Sequence, residues 1–391
     1  MIAPTCASAG PSTAHRRIPV SPHAARTGRF VAGALPLALL FALTAQLPAA
    51  HSQRAPAFVP TSRDYGGRRP ASTKPAPLRD LTHETQTAIV SAISLASPCV
   101  VGISAFGSEG GRREQSGVVI DGLGFVVTAA GTLRRGEKAV VMAANSTPAP
   151  GRVVGVDERF QLAVIKVQMG GLNPIGLRSS RSLRAGMWLA AIGRPPGYDI
   201  TATVGTLSAR DREIAWPGGQ RLEYLIQTDA VINAENNGGP LVDTRGRLAG
   251  IALDLPRSAE MQGIGFAVPS EIVRRVSSDL IRRGKFLGAW YGIGYRDARP
   301  GELRRAGVSG GILVERVYPG TPAQRSGVAS RDVIFTFNGK AVKDRADFRW
   351  RMIMAHPGDK VRFEGIRRGR RIQLKAVLGT APEVLPRWGT R

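Results

Sequence analysis

Between residues 99 and 252 the chain is built of short apolar, β-branched runs set off by glycine and polar turns. These runs cover residues 99–103, 117–120, 124–128, 138–142, 162–167, 187–192, 203–207, 241–242 and 248–252. Runs of this length and spacing predict strands of a sandwich or of paired barrels. After Pro269 the period changes. Ile272, Val273, Val276, Leu280 and Ile281 recur on one helical face, with Ser270 expected as N-cap, Glu271 in the first turn and Gly284 closing the helix. A domain boundary follows at residue 285.

Upstream of the strands, residues 30–50 carry no charge and follow Arg16, Arg17, Arg26 and Arg29. A basic leader, an apolar stretch and the small pair Ala49 and Ala50 predict an export signal, and the run is also long enough to remain as a membrane anchor. Residues 1–52 are therefore expected to be signal peptide or anchor. Residues 53–84, rich in Pro, Ser, Arg and Gly, are expected to be a flexible linker.

Composition narrows the chemistry. The 391 residues hold two cysteines, Cys6 and Cys99, too few for a disulfide framework or a cysteine-based zinc site. No metal or organic cofactor is expected. The five histidines are His15, His23, His51, His83 and His356, which leaves residues 84–355 without one. The net charge of +25 divides as +8 over residues 1–80, +5 over 81–285 and +12 over 286–391. No nucleic-acid motif accompanies it and aromatic residues are too sparse for base stacking, so the charge reads as solvated arginine.

Four ordered segments carry a family resemblance. Residues 117–128 resemble the strand leading to the catalytic histidine of the HtrA/Deg serine proteases, and residues 157–166 resemble their aspartate segment. Residues 226–241 resemble the serine segment, and residues 263–269 a substrate-facing strand after it. The resemblance implies a mainly β protein: a chymotrypsin-like double β-barrel over 85–285, one PDZ domain over 286–380, and a tail over 381–391. The leader predicts an exported, periplasmic protein, with residues 30–50 either cleaved or kept as a tether to the inner membrane, and the resemblance implies a homo-oligomer (trimeric in the family) or an assembly with an active paralogue.

The chain departs from the family where the chemistry lies. Gly131 stands where the resemblance puts the histidine, Gln161 where it puts the aspartate, and Asn237 where it puts the serine. Glu235 replaces a glycine of the oxyanion turn, where a Cβ and a charge both oppose an oxyanion hole. The physics runs the same way, since a serine hydroxyl attacks only when a neighbouring base takes its proton. A Ser–Lys dyad has only Lys138, Lys166 and Lys285 to draw on. The dipeptide Asn237-Gly238 leaves open a succinimide-forming asparagine.

In the C-terminal part, Trp290, Tyr291, Gly292, Ile293 and Gly294 resemble a PDZ carboxylate-binding loop. Residues 346–354 predict an amphipathic helix on which Phe348 and Met352 are candidates for the groove wall, with ordinary core packing the equal alternative. Asn338-Gly339 and the arginine-rich stretch 367–371 predict turns, and Arg331 replaces a usual glycine. The implied function is an HtrA/Deg-like pseudoprotease that binds exposed C-termini or unfolded polypeptides as adaptor, holdase or regulator. The alternatives are an active envelope serine endopeptidase with an unrecognised catalytic arrangement, and a scaffold at anionic membranes. An unidentified peptide ligand is the expected partner, and nucleic acid is not.

Overall fold

The computed structural model describes residues 78–106, 112–131, 133–144, 146–195, 197–216, 220–255 and 263–382. It opens with α1 (Leu78–Ala96), whose first turns occupy the end of the stretch expected as linker. The sequence pattern hid α1 because its buried residues, Ala92 and Ala96, are small. Among the described residues no helix is long and apolar enough to cross a membrane, and the expected signal or tether at 30–50 lies outside them.

Six strands then close a first barrel: β1 (Val100–Phe106), β2 (Arg112–Val119), β3 (Phe125–Ala129), β4 (Lys138–Met142), β5 (Ala149–Asp157) and β6 (Leu162–Val167), in the order β1-β2-β3-β6-β5-β4. A second barrel follows: β7 (Trp188–Gly193), β8 (Thr201–Trp216), β9 (Gln220–Thr228), β10 (Pro240–Asp243), β11 (Leu248–Leu253) and β12 (Gly265–Pro269), in the order β10-β11-β12-β9-β8-β7. The apolar runs are continuous, not alternating, because these strands are buried on both faces. In β7, Leu189 and Ala191 fill the second barrel while Ala190 and Ile192 face the seam between barrels. In β6, Ala163 and Ile165 fill the first barrel while Leu162 and Val164 face the same seam.

Helix α2 (Ser270–Arg283) packs Ile272, Val273, Val276 and Leu280 onto that seam. Its N-cap is Pro269, not Ser270, which lies inside the first turn and donates from Oγ to Arg178 O. Gly284 closes the helix at φ +74°. One buried ion pair fixes what comes next. Arg275 donates to Asp279 Oδ2 at 2.7 Å, to Leu287 O at 3.0 Å and to Ala355 O at 3.1 Å, and it lies over the Phe286 ring at 4.9 Å. Asp279 also accepts from Arg283 and from the Leu287 N–H.

The remaining elements build a smaller unit. They are β13 (Ala289–Trp290), β14 (Ile293–Asp297), α3 (Pro300–Ala306), β15 (Ile312–Val317), α4 (Pro322–Arg325), β16 (Val333–Phe337), β17 (Lys340–Ala341), α5 (Arg345–Met354), β18 (Lys360–Arg367), β19 (Arg370–Val377) and β20 (Gly379–Thr380). The main sheet runs β14-β15-β16-β18-β19, with β17 on β16, and β13 pairs β20. The expected turns form: Asn338 and Gly339 take φ +49° and +75°, and Arg368 and Gly369 take +47° and +78°, as two-residue hairpins require. Arg331 adopts φ +71°, the conformation for which glycine is suited.

Helix α5 is buried on two sides. Phe348 and Met352 join the core of the smaller unit, while Ile353 joins the seam of the barrels. Trp350 packs edge-on against Tyr224 of β9 at 5.3 Å and beneath the Arg181 guanidinium at 4.0 Å. Tyr224 Oη donates to Ala346 O at 2.9 Å, and Arg349 pairs with Glu223, whose carboxyl burial pushes up despite the arginines around it.

Replacing Arg275 by alanine strands a buried carboxylate, so the unfolding free energy in a urea titration is expected to fall by about 3 kcal/mol. Arg283→Ala, at a half-exposed end of the same network, is expected to cost less than about 1 kcal/mol.

Candidate functional site

The three positions singled out in the sequence converge where the barrels meet. β3 ends at Ala129. The Ala130 N–H donates to Gln161 O at 2.9 Å, and Gly131 follows at φ +50°. Gln161 is buried at φ +53° and turns its Nε2 onto Glu158 O at 2.7 Å. Asn237 arrives from the second barrel, its carbonyl accepting the Ser116 N–H of β2 at 2.9 Å. Gly238, at φ +77°, backs directly onto β3: a Cβ there would stand 2.2 Å from Thr128 Oγ1 and 2.8 Å from Ala129 N.

Several backbone groups of the turn at 233–239 are held by hydrogen bonds. The N–H groups of Asn236 and Asn237 both donate to Asn233 O, at 3.1 and 2.9 Å, and that of Gly238 to Ala252 O at 2.8 Å. Asn237 Oδ1 accepts the Asp254 N–H at 3.0 Å. Asn236, buried beneath, accepts from the Asn233 N–H at 2.8 Å and donates to Val231 O at 2.9 Å. Ser116 Oγ donates to Glu235 O at 2.7 Å and accepts the Arg194 N–H at 2.8 Å. Arg194 Nε reaches Val100 O at 3.2 Å.

This arrangement limits the chemistry. An oxyanion hole needs backbone N–H groups aimed at one empty point, and the Asn237 N–H is turned into the helical turn instead. A carboxamide carries no proton that a general base could remove near neutral pH. The histidines among the described residues, His83 on α1 and His356 beside Asp359, are exposed and belong to other parts of the molecule. Glu235 is exposed, with only its carbonyl held in the turn. Among the described residues no three His, Cys, Asp or Glu side chains are grouped to hold a metal ion. Cys99 is a buried free thiol whose pKa burial pushes up.

Residues 263–269, expected as a substrate-facing strand, are mostly interior to the second barrel. β12 is flanked by β11 over Phe266–Pro269 and by β9 over Gly265–Ala267, so Gly263 and Ile264 alone lie beyond both ladders. Ser116, Arg194 and Asp254, which hold the turn, gave no signal in the sequence, because each acts through contacts with residues far away in the chain in which a backbone group takes part.

In the segment expected as a carboxylate-binding loop, the side chains of Tyr291 and Ile293 are turned into the core. Tyr291 is core: its ring lies 4.4 Å from that of Phe363, its Oη bonds Ser326 Oγ at 2.6 Å, and burial pushes its pKa up to about 12. Ile293 is core as well, and Trp290 rests against Tyr318 at 5.7 Å. Tyr291 O accepts the Ala323 N–H at 2.8 Å and Gly292 O accepts the Tyr318 N–H at 3.0 Å. Because those peptides are planar and trans, the Gly292 and Ile293 N–H groups point the opposite way. Gly292 takes φ +92°, and a Cβ there would collide with Thr321 at 2.2 Å. Gly294 lies on β14, an edge strand of the sheet. α5 borders that edge, with the Arg345 N–H on Asp297 Oδ1 at 2.6 Å and Phe348 against Tyr295 at 4.9 Å. Phe348 and Met352 follow the core alternative: both are buried among Phe337, Phe363 and Leu374.

Comparison with known proteins matches residues 115–251 to the trypsin-like peptidase domain and residues 291–378 to the PDZ domain. A Synechocystis sp. protein bearing the serine-protease name HhoB is 32% identical over 289 residues, 70% of this chain and 68% of its own length. An Ectopseudomonas mendocina protein named "Probable periplasmic serine endoprotease DegP-like" is 32% identical over 282 residues, and the match spans 70% of this chain and 59% of that protein. Among solved structures, the HtrA-type protease AlgW with a tripeptide superposes with a TM-score of 0.63 at 30% identity, covering 76% of this chain and 98% of that one. The same protease with a decapeptide gives 0.59 at 28% identity.

Succinimide formation at Asn237 requires the Gly238 nitrogen to attack the side-chain carbon, and that N–H is committed to Ala252 O. The folded chain held at pH 8 is therefore expected to keep Asn237 intact in a peptide-mass map, whereas the urea-unfolded chain deamidates there.

Proposed function

This chain belongs to the HtrA/Deg family, in which a trypsin-like peptidase domain precedes a PDZ domain, and we propose that it is a member without proteolytic chemistry that binds exposed C-termini or unfolded polypeptide in the cell envelope. The observation that carries this reading is the state of Asn237. It stands at the position the resemblance gives to the nucleophile, its side chain is held by the Asp254 N–H, its own N–H is spent on Asn233 O, and neither described histidine bonds to it. Glu158 O occupies the amide of Gln161, and the carboxylate of Glu235 is turned to solvent. What the cleft has lost in reactivity it has gained in internal bonding.

Binding is assigned to the smaller domain. The inward carbonyls of Tyr291 and Gly292 leave two N–H groups for a terminal carboxylate, and edge strand β14 offers a backbone for β-augmentation. The side chains of Tyr291, Ile293, Phe348 and Met352 set the shape of that edge from below, as core residues. The relatives are named as periplasmic endoproteases, which supports placing this chain in the same compartment. Its role there is that of an adaptor, holdase or regulator.

Two measurements test the reading. The purified chain is expected to leave casein undegraded, and cleavage that disappears in Asn237→Ala would overturn the claim. A variant carrying Gly131→His, Gln161→Asp, Asn237→Ser and Glu235→Gly is expected to regain weak activity at most. Residue 131 now has a left-handed backbone that costs a histidine about 1–2 kcal/mol. For binding, an apolar peptide with a free C-terminus is expected to bind at least tenfold more tightly than the same peptide amidated. Equal affinities would remove the carboxylate from the account, without any variant whose folding is in question.

A further inference from the structure

The outer face of the β18–β19 hairpin is strongly positive, and apart from the buried Ile366 beside Val333 its side chains are exposed or half-buried. The strands pair Lys360 with Val377, Arg362 with Lys375, Glu364 with Gln373 and Ile366 with Arg371. The alternate residues Val361, Phe363, Leu374 and Ala376 lie in the domain core, so these pairs point away from it. α3 covers the same face of the sheet only farther along, where Leu303, Ala306 and Val308 pack on Leu313 and Val333. Lys360, Arg362, Arg371 and Lys375 are exposed, and Arg368 and Arg370 carry the row around the hairpin tip. None of these six cations makes an ion pair among the described residues. Arg371 rests over the Phe335 ring at 5.8 Å, and Glu364 is the one acid on this face of the two strands.

Two details separate this patch from ordinary solvated charge. Arg362 and Lys375 stand directly opposite each other, and like charges so placed weaken the ladder. Arg367, next to the tip, is by contrast consumed internally: its guanidinium holds the fully buried Asp332 through two bonds of 2.8 and 2.7 Å. Of the arginines that face outward, Arg371 alone touches the fold, through the Phe335 ring, and none is held by an ion pair among the described residues.

We propose that this face docks on an anionic membrane surface. Charge and spread decide the occupant. The face is a two-stranded ladder roughly 25 Å long, at about 3.3 Å per residue, with its six cations exposed along it and around its tip. It presents long, independently mobile cations whose reach matches the lateral spread of lipid phosphates. The proposal stands whether or not the chain cuts peptides.

The test is cosedimentation of the full chain with vesicles. Phosphatidylcholine vesicles set the baseline for any insertion of residues 30–50. Adding about one-third phosphatidylglycerol is expected to raise the bound fraction about tenfold at low salt, and raising the ionic strength to about 0.3 M is expected to remove the gain. Arg362→Gln with Lys375→Gln relieves the like-charge pair, so it is expected to fold normally and to lose the gain. Arg304→Gln with Arg305→Gln on α3 changes net charge equally and is expected to keep it. Equal losses in the two variants, or no preference for anionic lipid, would overturn the proposal. Tighter binding of soluble polyglutamate than of vesicles, abolished by the same hairpin variant, would assign the face to an acidic polypeptide instead.

Discussion

A guanidinium sealed from water holds the described part of this molecule together. Arg275 lies in α2, yet its hydrogen bonds end on the strand-bearing linker at Leu287 and on the end of α5 at Ala355. A buried charge cannot be left to drift, because desolvation makes every unpaired arrangement costly. Asp279 supplies the counter-charge and in turn fixes the Leu287 N–H, so the exit path from the barrels is set within one hydrogen-bonded knot. The position of α5 against β9, and with it the position of the PDZ-like sheet, follows from that knot.

The same logic applies at the junction of the barrels, where polar groups have found one another instead of a substrate. Ser116 joins β2 to both the Glu235 carbonyl and the Arg194 amide, and Asn236 and Asn237 tie the turn to β-strand ends around it. An active acyl-transfer site keeps donors unpaired in wait for a charge that appears only in the transition state. Here the N–H groups of Asn237 and Gly238 are already bonded to Asn233 O and Ala252 O, an arrangement that favours stability over reaction.

Much of the architecture was legible in the sequence. Strands buried on both faces leave unbroken apolar runs, and β1, β3, β6, β7 and β11 were visible for that reason. β5 and β9 were not: Ala149–Asp157 is broken by proline and glycines, and Gln220–Thr228 is mixed in polarity. α1 was missed because alanines make its contacts. Ser270 reads as an N-cap until Pro269 is seen to hold that place. At the candidate site, residue identities at 131, 161 and 237 could be read directly, while the bonds that immobilise the turn could not, since they join Ser116 to residues as distant in the chain as Glu235 and Asn237. Phe348 and Met352 show the limit of helical periodicity, which marks an apolar face without saying which neighbour covers it. The outer side of α5, with Trp350 and Ile353, was apolar too, and a helix apolar on two sides is one that two partners enclose.

That double enclosure has a consequence for synthesis. Tyr224 and Ala346, joined in the finished structure, are 122 residues apart in the chain. At an elongation rate of about 5–20 residues per second, the barrel surface around Tyr224 waits on the order of ten seconds for the helix that will cover it. During that interval the second barrel exists with an apolar flank open to water and to any neighbouring chain. The second barrel thus depends on the last part of the chain to be made for the closing of its own surface.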